Sequence, residues 1–162
     1  MTLSPDNTLH MLRHTVATLA YRGGKAIRGA PSEFSEYSAG PGSRTPGQIL
    51  AHVCDLFDWA VKMADGVHEW RNVLPQSWEE DTARFFAGLE AFDRRLANGA
   101  AIGMDAEKLF QGPVADALTH IGQIAMLRRM AGAPIRGENY VKAQIAVGRV
   151  GVDQAPAVFE FD

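Results

Sequence analysis

The chain has 162 residues, 46% hydrophobic and 22% charged, a composition ordinary for a soluble globular protein. A net charge of −3 and a sequence pI near 5.9 argue against nucleic-acid binding, because neutralising phosphates needs a basic surface. The single cysteine, Cys54, excludes an intramolecular disulfide and a Cys-rich zinc module.

One domain spanning residues 1–162 is expected. Met1-Thr2-Leu3-Ser4-Pro5 opens no charged-then-apolar leader. No run approaches the roughly 20 apolar residues needed to span a bilayer. These absences lead to the expectation of a cytoplasmic protein with no membrane partner.

Ser4-Pro5 supplies an N-cap with proline at the first helical position. Leu9, Leu12, Val16 and Leu19 then follow the spacing of one buried stripe, and Gly23-Gly24 is expected to end this first helix. Residues 25–44 read as irregular, rich in Gly, Pro and Ser, with Phe34 and Tyr37 as anchors.

Thr45-Pro46-Gly47-Gln48 is a capping box that opens a second helix. Its buried side carries Ile49, Val53, Leu56, Ala60 and Ala64, and it ends near Gly66. A second capping box, Ser77-Trp78-Glu79-Glu80, opens a third helix. There Trp78, Phe85, Leu89, Phe92 and Leu96 fall in register before Asn98-Gly99 stops it. Gly112-Pro113 is expected to open a fourth helix running to Gly132, with Pro134 blocking extension. Residues 138–145 suggest a short fifth helix, and the tail after Gly148 an extended segment. Only Val158-Phe159-Glu160-Phe161 alternates as a strand does. The expectation is an all-α bundle of four helices with a long connection after the first.

The histidines differ in their surroundings. His10 and His14 are four residues apart but point away from the Leu12–Val16 stripe, so they belong to a solvated face. His68, beyond the second helix, reads as surface. Cys54 lies about 200° from His52 around the helix, which leaves it a small buried hydrophobe rather than a co-ligand.

His52 shares a flank of the second helix with Trp59 and Met63, beside the main apolar stripe. His120 lies on a fourth helix that is apolar nearly all round, where polar positions tend to be enclosed. Asp116 precedes His120 by four residues and shares its face. Two imidazoles and a carboxylate converging on one point would make an open divalent-metal site. A private hydrogen-bond network is the alternative, and Asp116 could equally be favoured by the dipole of a helix start. Gln123, one helical step from His120, is placed to orient a ligand, and Arg44 to border a pocket; ordinary polar and exposed roles remain open for both.

Gln48-Ile49-Leu50-Ala51-His52, His120-Ile121-Gly122-Gln123 and its continuation Ile124-Ala125-Met126-Leu127-Arg128-Arg129 resemble the DinB-like (DinB/YfiT) superfamily. The resemblance covers the chain from the first helix through Gly148. It implies a four-helix bundle with a long crossover, often dimeric, so a homodimer is expected. It also implies a metal site of three histidines, one on the second helix and two on the fourth at i and i+4. His52 matches the first and His120 the last. Asp116 stands at the middle position, giving two histidines and one carboxylate, with room for zinc, nickel, iron or manganese.

Relatives include thiol-dependent transferases and metal-dependent hydrolases. The resemblance therefore implies a small-molecule substrate or a low-molecular-weight thiol. It assigns no catalytic side chain. The alternative is a dimeric bundle that binds no metal and serves as a small-molecule-binding or stress-associated module.

Overall fold

The computed structural model describes residues 5–161, with side chains from Asn7 onward. Ser4, the expected first N-cap, lies outside the described residues. The fold is all-α. Helices α1 (Pro5–Ile27), α2 (Pro46–Ala64) and α3 (Trp78–Ala97) are followed by a short α4 (Ala106–Leu109) and by α5 (Ala115–Met130). Both α1 and α2 pack on α3 and α5. The two helices consecutive in sequence thus share neighbours instead of lying broadly against each other. The connection between them must therefore travel, which accounts for the length of residues 28–45.

Both capping boxes form. The Thr45 and Ser77 side chains accept from the N–H groups of Gln48 and Glu80, whose side chains accept from the cap N–H groups in return. Each such cap contributes about 1 kcal/mol. Gly66 and Gly99 take left-handed conformations just past α2 and α3, where the sequence places the ends. The apolar registers of α2 and α3 meet in one core with Val16, Leu19, Phe57, Ile124 and Phe34; Phe34 anchors the long connection.

Three expectations need correction. Gly23-Gly24 does not end α1, which runs on to Ile27. A Cβ at Gly23 would stand 2.5 Å from Phe85 Cζ and 3.3 Å from Ile121 Cδ1. The glycine lets α1 approach α3 and α5 closely, which offsets its helix cost of about 1 kcal/mol.

Nor does Gly112-Pro113 open the last long helix. The helical path begins at Ala106 and carries Pro113 through a π-helical segment, Phe110–Val114. Proline has no N–H to donate and its ring crowds the carbonyl four residues back; a widened turn relieves both. The Ala115 N–H still finds the Phe110 and Gly112 carbonyls. Asp116 consequently does not stand at a bare helix start, and the dipole account of it loses its basis.

The expected fifth helix is a single 3-10 turn, Tyr140–Lys142. The tail is extended: Glu160–Phe161 pairs antiparallel with Gly137–Glu138. The buried Glu138 accepts from the Tyr21 hydroxyl at 2.6 Å and from Lys25 Nζ at 2.7 Å. This ties the terminal pairing to α1. Among the described residues, no helix is long and apolar enough to cross a membrane.

Candidate metal centre

His52 projects from α2 toward α5, which presents Asp116 and His120 on one face, as their four-residue spacing requires. Their ligand atoms all lie within 4.8 Å of one another. Asp116 faces both rings, with Oδ2 3.6 Å from His52 Nε2 and Oδ1 3.5 Å from His120 Nε2. The imidazoles meet edge to face, centroids 4.8 Å apart. Donor atoms about 2.1 Å from a tetrahedral ion are separated by roughly 3.4 Å; each His–Asp spacing is of that scale, one to each carboxylate oxygen, and the widest of the three separations, up to 4.8 Å, must close for one ion to hold all three. The two His–Asp spacings are too long to be strong hydrogen bonds.

Each imidazole has a distinct setting. His120 Nδ1 lies 2.7 Å from Gln123 Oε1. A carbonyl oxygen can only accept, so Nδ1 carries the proton and Nε2 is left with its lone pair toward Asp116 and His52. That is the tautomer a metal needs. His52 packs beside Trp70, centroids 5.6 Å apart, and Trp70 in turn meets Trp59 edge to face. Burial lowers the His52 pKa, as do the charges of His120 and Arg44, against an opposing pull from Asp116. Its neutral form, the one able to bind a metal, is favoured.

The side chains of His52, Asp116 and His120 are 23%, 46% and 13% exposed. Two ligands are therefore seated while the carboxylate faces outward. A cleft of about 430 Å³ adjoins the cluster, lined by Arg44, Ile49, His120, Gln123, Met126 and Leu127. The donor set can hold a divalent ion, and the cleft gives a further ligand access to it.

The remaining candidates are not brought to the site. His10 and His68 are exposed and His14 is half-buried on α1. Cys54 is buried, and its thiol donates toward the Asp81 carbonyl at 3.3 Å. Burial pushes this thiol well up, into an unreactive state. Arg128 is buried and donates to the carbonyls of Ala26, Arg28, Gly29 and Ala133. It serves the junction of α1 and α5.

Sequence reasoning gave Trp70 no part at the site. An aromatic residue in a polar loop was the available signal, but its loop has no periodicity to place it. Comparison of the chain with protein-family models, with curated proteins and with solved structures finds no match.

Proposed function

We propose that the chain is a DinB-like metal-dependent enzyme in which His52, Asp116 and His120 hold a divalent transition metal and leave one side open to a ligand from the cleft. The reaction proposed is thiol transfer or hydrolysis on a small molecule. The convergence of three donor atoms from two helices within 4.8 Å carries this reading. The shared packing partners of α1 and α2, and the long connection between them, fit the crossover bundle of that superfamily.

A bound divalent ion would lower the pKa of a coordinated water or thiol and so supply a nucleophile near neutral pH. The chain's own residues do the rest. Gln123 fixes the His120 tautomer and ring orientation. Trp70 packs beside the His52 ring and Trp59 beside Trp70, which limits the directions the imidazole can take. Asp116 contributes a negative charge, which keeps a divalent site from repelling other cations as strongly and favours harder ions than a third histidine would.

Elemental analysis of tag-free protein beside the His120→Ala variant tests the reading. One transition-metal equivalent per chain, lost in the variant while its circular dichroism stays unchanged, is the expected result. A wild type that takes up none of zinc, nickel, manganese or ferrous ion would reject it.

The second reading is a dimeric bundle without metal, binding a small molecule or serving as a stress-associated module. Met126 and Met130, 58% and 51% exposed on α5, favour it as an apolar strip for a second copy. Sedimentation of a metal-free dimer that falls apart in Met130→Glu would support this alternative.

A further inference from the structure

The cleft beside the candidate metal centre has two unlike walls. Ile49 and Leu127, both nearly buried, and the more open Met126 make one of them apolar. Arg44 stands on the other, at the end of the long connection and one residue before the α2 cap. Four other arginines are engaged by partners of their own. Arg13 forks onto Asp93, Arg84 bridges Asp55 and Asp58, Arg95 takes Asp65, and Arg128 takes four carbonyls. Arg44 lines the cleft with no carboxylate partner among the described residues.

Its position is held from both sides. Thr45 is locked into the capping box, and the Ser43 hydroxyl donates to the Gly40 carbonyl at 2.7 Å. An exposed guanidinium on a backbone held at the mouth of a half-apolar cleft, with no anion of its own among the described residues, is suited to a carboxylate. A phosphate would call for several converging donors, and this wall offers one cation. The volume is ample for a small organic acid.

We propose that this cleft binds a small monocarboxylate, its carboxylate on Arg44 and its apolar body against Ile49, Met126 and Leu127. The site is thereby a selector for organic acids. The inference deepens the metal-enzyme reading and rests on it only for the orientation of the ligand, whose far end would point toward His52, Asp116 and His120.

The test is a heteronuclear NMR titration of the full chain with 4-phenylbutyrate and with its neutral counterpart 4-phenylbutanamide. It is run on wild type and Arg44→Gln, each metal-free and zinc-treated, with zinc content measured on the same samples. The acid is expected to bind roughly fivefold more tightly than the amide, the scale of one partly exposed charge pair. Shifts should centre on Ile49, Gln123 and Leu127, and the preference should vanish in Arg44→Gln.

Equal affinities, no binding, or a preference that survives in Arg44→Gln would overturn the proposal; the last would assign the acid to zinc. A protein that takes no zinc yet keeps an Arg44-dependent preference would support the carboxylate subsite and reject the metal reading. A zinc-loaded protein without that preference would do the reverse.

Discussion

Two polar clusters grow from the same helix and have opposite characters. His52 and Asp55 are three residues apart on α2, yet one faces α5 and the other α3. Asp55 is 3% exposed and largely satisfied: it accepts from the Val73 N–H at 3.1 Å and from Arg84, which also reaches Asp58. Nearby, Asp81 accepts from the Gln76 N–H at 2.9 Å, and burial pushes its carboxyl up. Backbone groups of the loop before α3 thus supply partners for buried carboxylates, leaving Asp81 Oδ1 and Arg84 Nη1 as buried atoms without a partner among the described residues, and the cluster is structural. At His52, Asp116 and His120 a carboxylate faces two imidazole nitrogens 3.5–3.6 Å away, too far for strong hydrogen bonds. Polar groups that consume one another hold a fold together, whereas a carboxylate and imidazoles that face one another loosely leave room for a cation.

The largest expected effect breaks the first cluster. Arg84→Met leaves the buried Asp55 without its cation, at a cost of about 3 kcal/mol in urea denaturation. Its metal content should match wild type. A loss under about 0.5 kcal/mol would mean that the Arg84 pairs contribute only as much as exposed ones. The second effect is nearly as large and belongs to the other cluster. Zinc at about 100 times its dissociation constant should stabilise wild type by about 2.7 kcal/mol. The same zinc should leave the His120→Ala melting curve where it was. If both proteins respond alike, the ion binds elsewhere.

What could be read from sequence follows the reach of the interactions. The boxes at Thr45 and Ser77 close within four residues, so local pattern sufficed for them. The pairing of Asp116 with His120 is likewise a matter of helical spacing. Gly23 was misread because a glycine that ends a helix and one that admits Phe85 look alike until the partner helix is present. Pro113 was misread for a related reason. The rule that puts proline at a helix start is local, whereas the π turn that carries it is packed against α2. That error also weakened Asp116, by assigning it to a helix start. The approach of His52 to α5 depends on how α2 and α5 pack, which no local pattern encodes. Trp70 sits in a loop, where the chain carries no periodicity from which to place it.

A smaller effect sharpens the contrast at Gln123, an exposed residue whose side chain meets His120 Nδ1. Gln123→Ala frees the His120 ring to turn and to shift its proton, and should weaken zinc binding about tenfold. Stability of the metal-free protein should be unchanged. Gln123→Glu, which keeps an acceptor at Nδ1, should recover most of the affinity. Equal affinity in all three proteins would show that the 2.7 Å contact orients nothing.

The smallest effect concerns protons. In the folded chain the His52 pKa lies below the ordinary imidazole value of about 6.5, chiefly through burial. Above that value both folded and unfolded chains hold His52 neutral, and it contributes nothing to the pH dependence. As pH falls below it, the unfolded chain takes up the proton first, so the metal-free protein loses stability until the folded imidazole is protonated too. Between about pH 8 and about pH 5, wild type should therefore lose more stability than His52→Gln, which cannot titrate. Arg44→Gln removes one of the charges that hold the imidazole neutral and should fall between them. Identical losses in wild type and His52→Gln would mean that His52 is as well hydrated when folded as when unfolded. The contrast with the buried Asp55 cluster on the same helix would then be one of exposure alone.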